Sequence, residues 1–369
     1  MYINGEWITN TDKTFPVFNP TTGEKIGEVA DGGAKETHTA IEAAHAAFHS
    51  WSKTTAYQRS RLLYDAYGIM KENKEHLART MTEEQGKPLR AARNEVQYGA
   101  DFLLWFAEEA KRVYGETMPA PRPDQRFMVL HQPVGVVGAV TPWNYPISMI
   151  TRKVAPAVAA GCTIVLKPAE ATPLCALETF KILEKAGFPK GVVNLVTALD
   201  PVPVGQAFLE NPLVRKLTFT GSTGVGKRLA RGAAEQMKRI SLELGGHAPF
   251  IVIEDADPVF AAKGAMLVKF LNTGQACISP NRIFVHKSGL DAFLEEARKR
   301  VSAMQAGSGF DEKVRIGPLV GPAALEKIER QVADALEKGA ELVIGGKRLT
   351  DNGLDKGFFY APTILNKVT

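Results

Sequence analysis

Between residues 135 and 253 the chain alternates apolar runs with helical stretches, and this rhythm constrains the fold more than any other feature. GVVGAV (135–140), CTIVLK (162–167), GVVNLV (191–196), KLTFT (216–220), RISLEL (239–244) and PFIVI (249–253) read as strands. One intervening helix ends near Gly161, another runs from Pro173 to a stop at Gly187, and a third opens at Val225. Near-continuous apolar strands separated by helices belong to parallel sheets covered on both faces. The expected fold is therefore α/β, a doubly wound, Rossmann-like parallel sheet. Ligands in such sheets bind beyond the carboxyl ends of the strands, so residues at those ends are the first candidates for function.

The flanks read differently. Asn4-Gly5 between YI and EWI predicts a type I′ hairpin at the N-terminus. From Ala34 to Ala110 the apolar spacing is helical, with Ile41, Ala44 and Phe48 on one stripe and Leu62, Ala66 and Ile69 on another. Gly86-Lys87-Pro88 interrupts it, and the proline-bearing stretch from Gly115 to Asp124 reads as an extended connection or an excursion from the domain.

Composition narrows the function classes. The 369 residues carry a formal charge of +5, but Lys and Arg are scattered among acids with no basic run, which argues against a nucleic-acid partner. No stretch is long and apolar enough to span a bilayer, and MYINGEWITN lacks a signal-peptide profile. Cys162, Cys175 and Cys277 are irregularly spaced, with neither a C-x-x-C pair nor a His pair beside them. Neither a disulfide framework nor a metal site is expected, and a cytoplasmic location is the simplest reading.

Each candidate chemical group has an ordinary structural alternative. Cys277 ends the polar, glycine-containing NTGQAC loop, where a thiol can be exposed; most free cysteines are core residues, and Cys162 and Cys175 fit that description. Glu243 lies at the end of RISLEL just before two glycines, where apolar shielding would raise its pKa towards that of a general base; taken alone, the segment favours a solvated strand-end carboxylate. Asn144 in TPWN could donate to an oxyanion or simply cap a turn. Lys167 and Glu170 in KPAE could bind ribose hydroxyls or form a solvated loop. Gly221-Ser222-Thr223-Gly224-Val225-Gly226 follows a strand and opens a helix, a setting for pyrophosphate or for a plain glycine-rich cap.

Taken in order, TPWN, KPAE, FTGSTGVG, LELGG and NTGQAC resemble the aldehyde dehydrogenase superfamily, from about Tyr2 to the last residue. The resemblance implies that Cys277 is the nucleophile, that Asn144 and the Cys277 N–H hold the oxyanion, and that Glu243 activates water, with Lys153 in support. It implies a cofactor site of Trp143, Lys167, Glu170, Gly221, Ser222 and Val225. A carboxylate at Glu170 would repel a 2′-phosphate, which makes NAD the expected cofactor, with NADP as the other option. The implied organisation is a dinucleotide-binding domain over 1–113 and 132–245, an oligomerisation segment over 114–131 and a catalytic α/β domain over 246–369. A homodimer or homotetramer is implied as well.

ISMITRKVAPAVAAGCTIVLKPAE is most similar to succinate-semialdehyde dehydrogenases, which grip the substrate carboxylate with arginines. Arg152 matches the first of these arginines, while Leu271 stands where a second would fall. A semialdehyde such as succinate semialdehyde is the expected substrate, with a longer or less polar aliphatic aldehyde as the alternative. Ser279, two residues after Cys277, leaves no redox partner there. Rival readings are a thiol hydrolase using His247 and an impaired dehydrogenase scaffold acting as a binding protein. The latter follows from the family pattern continuing beyond APTILNKVT (361–369), with a glutamate for the nicotinamide ribose among the residues expected there.

Overall fold

A computed structural model describes residues 1–9 and 13–369. The chain forms two compact units, the first comprising Met1–Pro16, Glu28–Leu77 and Asn94–Leu244, and the second Val17–Gly27, Ala78–Arg93 and Gly245–Thr369.

The first unit is built on a seven-stranded sheet in the order Arg239–Leu244, Val214–Gly221, Val136–Val140, Thr163–Lys167, Val193–Leu195, Tyr2–Ile3, Glu6–Trp7. The first five strands run parallel. The last two, at one edge, are antiparallel. Numbered along the chain, the parallel strands lie in the order 5-4-1-2-3, so the winding reverses at Val136–Val140. The central strands VVGAV and TIVLK are buried almost throughout because helices cover them. Helices Ala34–Trp51 and Pro146–Ala159 pack on Thr163–Lys167, and the Thr163 hydroxyl donates to the Ala44 carbonyl at 2.9 Å. Ile41, Val136, Val165, Phe208 and Leu217 share one core. The N-terminal turn is as the sequence predicts, with Asn4 at φ 52° and Gly5 at φ 76°.

Helices occupy Ala34–Trp51, Ala56–Glu72, Lys74–Gln85 and Leu89–Glu109, broken at Gly86, which takes φ 77°. The buried stripe of the second is Leu63, Ala66 and Met70: Ala66 is as expected, while Leu63 and Met70 each lie one position beyond the expected Leu62 and Ile69. Two apolar diagonals flank Ala66 at equal spacing, and tertiary packing selects between them. The excursion is a hairpin of Glu116–Met118 with Phe127–Val129, exposed on every residue.

In the second unit, Phe250–Val252 pairs in parallel with Ile283–Val285. Helices Pro258–Lys269 and Leu290–Ser302 pack on each other around Val252, Ala265, Met266, Phe293 and Ala297. PFIVI therefore continues the strand rhythm but joins a different sheet, after the break at Gly245-Gly246. Segments 17–27 and 78–93, which the sequence reading places in the first unit, cluster with the second. Close backbone contacts account for this: Leu89 N–H donates to the Gly309 carbonyl at 2.8 Å, and Phe358 N–H to that of Pro20 at 3.3 Å. Amphipathic periodicity says that a helix face is covered, but not by which body.

Candidate active site

In the first unit, the predicted residues gather at one edge of the parallel sheet. Thr141, directly after Val136–Val140, donates its N–H to the Lys167 carbonyl at 3.1 Å, which ties two adjacent strand ends together. Trp143 and Asn144 follow in the turn leading to helix Pro146–Ala159. Gly221 is the last residue of its strand and pairs with Leu244, while Thr220 pairs with Glu243. TPWN, Lys167, Gly221-Ser222 and Glu243 thus belong to four strands that end side by side, at and around the winding reversal. A doubly wound sheet places its ligands there.

Ser222 caps helix Thr223–Ala234, its hydroxyl accepting from Val225 N–H at 3.4 Å. The first turn of this helix presents backbone N–H groups and a positive dipole end, which suit a phosphate. An added side chain at Gly224 would meet nothing within 4 Å, so the approach to that turn is open. Lys167 is only 2% exposed at its side chain, and its amine donates to Glu170 at 2.9 Å. The two residues expected to bind ribose separately are paired to each other in this structure.

Helix Pro146–Ala159 carries Arg152 and Lys153. It opens on Tyr145-Pro146 with no side-chain cap of its own. Buried Glu95 serves instead, accepting from Ile147 N–H at 3.1 Å and Ser148 N–H at 3.2 Å. Sequence reasoning missed Glu95. The available signal was an acid on the apolar diagonal Ala92–Val96, together with a downstream helix that lacks a Ser, Thr, Asp or Asn cap. Lys153 is buried, with its amine donating to the Thr218 hydroxyl at 2.9 Å. Burial pushes this amine down from 10.5 to about 8, with Arg152 adding to the drop, Glu243 opposing it and Lys216 adding a little more.

Glu243 requires a correction. The expected apolar shielding is absent: its side chain is 61% exposed, and its partner is Arg152 at 3.7 Å. It lies on the edge strand of the sheet, whose residues alternate between exposed and half-buried, so that a strand end reading as apolar is open on one face. The Arg152 guanidinium also sits 6.0 Å from the Phe102 ring centroid.

The second unit carries the thiol. Of the three cysteines, Cys162 and Cys175 are buried, as expected of core residues, and Cys277 is exposed. Its loop leaves helix Pro258–Lys269 through three successive residues at positive φ: Asn272 at 49°, Thr273 at 60° and Gly274 at 81°. Two of these are not glycine, a strained arrangement that the surroundings must hold. Gly317 N–H donates to the Thr273 hydroxyl at 2.9 Å, and Val320 N–H to the Gln275 amide oxygen at 3.0 Å. Ser279 is buried and donates to the Lys269 carbonyl at 2.9 Å, and the Lys269 amine reaches Asn281 Oδ1 at 2.7 Å. Burial lowers the pKa of Lys269. Leu271 is half-buried at the start of the same turn. No hydrogen bond joins His247 to Cys277 among the described residues; the His247 carbonyl instead accepts from Asn281 N–H at 2.9 Å. The dyad of a thiol hydrolase is therefore not formed.

Among the described residues there is no group of three His, Cys, Asp or Glu side chains placed to hold a metal ion, and no helix is long and apolar enough to cross a membrane.

Residues 7–369 match the model of the aldehyde dehydrogenase family. The chain is 49% identical over 364 residues to the succinate-semialdehyde dehydrogenase (NADP+) of Escherichia coli strain K12, an alignment covering 98% of this chain and 74% of the relative. It is 47% identical over 369 residues to the 3-sulfolactaldehyde dehydrogenase of Pseudomonas putida, covering 100% of this chain and 75% of that one. The crystal structure of succinate-semialdehyde dehydrogenase from Burkholderia pseudomallei superposes with a TM-score of 0.97 at 48% identity, covering 100% of this chain and 76% of that chain.

Proposed function

Because this chain belongs to the aldehyde dehydrogenase family, we propose that it oxidises a short aldehyde bearing an acidic group to the carboxylic acid, with NAD or NADP as oxidant. The observation that carries this reading is Cys277, the one exposed thiol of three, on a loop held in a strained conformation by the strap at Gly317 and Val320. Structural cysteines do not require such a loop. An acidic substrate is favoured by Arg152, and the relatives named above act on aldehydes that carry a carboxylate or a sulfonate.

In the proposed reaction, Cys277 Sγ attacks the carbonyl carbon to give a thiohemiacetal. The Asn144 amide and the Cys277 N–H donate to the oxyanion. A bound nicotinamide would supply the hydride acceptor that lets the thiohemiacetal on Cys277 become a thioester. Glu243 takes a proton from a water molecule while the water oxygen attacks the thioester; the C–S bond breaks and the thiol is restored. Lys153, held by Thr218, supplies positive charge near Glu243. Arg152 binds the substrate's anionic tail, and Leu271 contacts its methylene groups.

Lys167, Glu170, Gly221, Ser222 and Val225 would hold the dinucleotide, and Trp143 would wall it. The Ser222-capped helix start fits its pyrophosphate, and the Glu170 carboxylate fits a ribose hydroxyl better than a phosphate. NAD is therefore the preferred oxidant on electrostatic grounds, although pairing with Lys167 makes the preference modest. The test is to assay short aldehydes with and without a terminal acid, each with NAD and with NADP, following reduced-cofactor absorbance. Oxidation of semialdehydes well above their neutral counterparts supports the reading. Absorbance growth without aldehyde, or none with any aldehyde, contradicts it.

A further inference from the structure

The residue assigned to the substrate's acid and the residue assigned to water activation are paired with each other. Arg152 and Glu243 approach to 3.7 Å within the first unit, on helix Pro146–Ala159 and on the edge strand Arg239–Leu244. Resting on the functional reading above, we propose that this pair is a substrate-operated latch: a small carboxylate arriving at Arg152 releases Glu243 to act as the base.

Three observations support the latch. First, both partners are accessible, with Arg152 41% and Glu243 61% exposed, so a dissolved carboxylate can reach the guanidinium without rearrangement of the fold. Second, Arg152 does not depend on Glu243 for its place. The Phe102 ring lies 6.0 Å from its guanidinium carbon, so the cation stays supported when the glutamate leaves. Third, the closest approach of the pair is 3.7 Å, too long for a hydrogen bond, whereas a free carboxylate can engage the planar guanidinium with two parallel hydrogen bonds. Lys153, anchored to Thr218 and buried, keeps a positive group beside Glu243 after the exchange.

The latch makes hydrolysis of the acyl-enzyme depend on an acid that need not be part of the acyl group. A pair of this exposure shifts an equilibrium by up to about fivefold. The probe is p-nitrophenyl acetate, which transfers a neutral acetyl group to the Cys277 sulfur and releases p-nitrophenolate, without nucleotide. Water then cleaves the acetyl–sulfur bond, giving acetate and the free thiol. The rate of this second step is measured in single turnovers with sodium propionate and, separately, with sodium chloride at equal ionic strength.

Propionate is expected to speed acetyl-enzyme hydrolysis by about two- to fivefold over chloride. Arg152→Gln is expected to hydrolyse its acetyl-enzyme at the faster rate already and to ignore propionate. Absence of a propionate effect on the wild-type chain overturns the latch, as does an Arg152→Gln rate equal to that of the chloride-bathed wild type. The wild-type arm needs no variant, so a poorly folded Arg152→Gln leaves the test standing. Failure of Cys277 to be acetylated at all overturns the functional reading itself, whereas acetylation without a propionate response overturns only the latch.

Discussion

Replacing Lys153 with Met should stabilise the first unit at neutral pH, and the gain should vanish in alkali. Burial lowers the Lys153 amine from 10.5 to about 8. That drop corresponds to on the order of 3 kcal/mol by which the fold disfavours the charged form. Below pH 8 the amine is protonated in both folded and unfolded chains, so the whole penalty is present. Between pH 8 and 10.5 the unfolded chain binds more protons than the folded one, and stability therefore rises with pH until the penalty is gone. Methionine has a similar length and no charge, but it leaves the half-buried Thr218 hydroxyl without its 2.9 Å donor, a loss of about 1 kcal/mol. The net expectation at pH 7 is a gain of about 2 kcal/mol, turning into a small loss near pH 10.5. All four tryptophans, Trp7, Trp51, Trp105 and Trp143, lie in the first unit, so fluorescence during urea unfolding reads that unit selectively. At roughly 2 kcal/mol per molar urea, the midpoint should rise by about 1 M at pH 7. A midpoint that falls at pH 7, or a difference that does not change with pH, would refute the reasoning. Aldehyde oxidation by the variant should fall in the same samples, which would show that the buried charge is kept for function at the expense of stability.

Gly317→Ala would place a Cβ 2.2 Å from the Gly86 carbonyl oxygen and push the strap away from the thiol loop. It should destabilise the chain by about 1–3 kcal/mol in thermal unfolding and slow aldehyde oxidation. Thr273→Val keeps the side-chain shape but removes the acceptor of Gly317 N–H, so it should cost about 1 kcal/mol and lower kcat more than it raises KM. Glu170→Ser should raise the NADP-to-NAD ratio of kcat/KM by roughly fivefold, the equivalent of about 1 kcal/mol for one partly exposed charge contact. An unchanged ratio would remove Glu170 from cofactor selection.

The central sheet was readable from the sequence because its middle strands are covered on both faces and so appear as unbroken apolar runs. The N-terminal turn was readable because Asn-Gly tolerates two positive φ angles in succession. What stayed hidden depends on partners distant in the chain. RISLEL looks apolar, yet it is an edge strand that leaves Glu243 open to solvent and to Arg152, ninety-one positions earlier in the chain. Lys167 and Glu170 are close in sequence, but nothing in KPAE distinguishes a ribose-binding pair from an ion pair. Glu95 was hidden because its role is to cap a helix fifty residues downstream. The Thr273 and Gln275 contacts follow from where Gly317–Val320 passes, which local pattern does not encode.

The central claim is that Cys277 carries the acyl group and Glu243 removes it. The most direct measurement is intact-protein and peptide mass spectrometry of Glu243→Gln after mixing with succinate semialdehyde and NAD or NADP. One acyl group is expected on the peptide containing Cys277, persisting long after the wild-type protein has returned to its starting mass. An unmodified Cys277 peptide, an acyl group on another residue, or loss of the adduct as fast as in the wild type would contradict it.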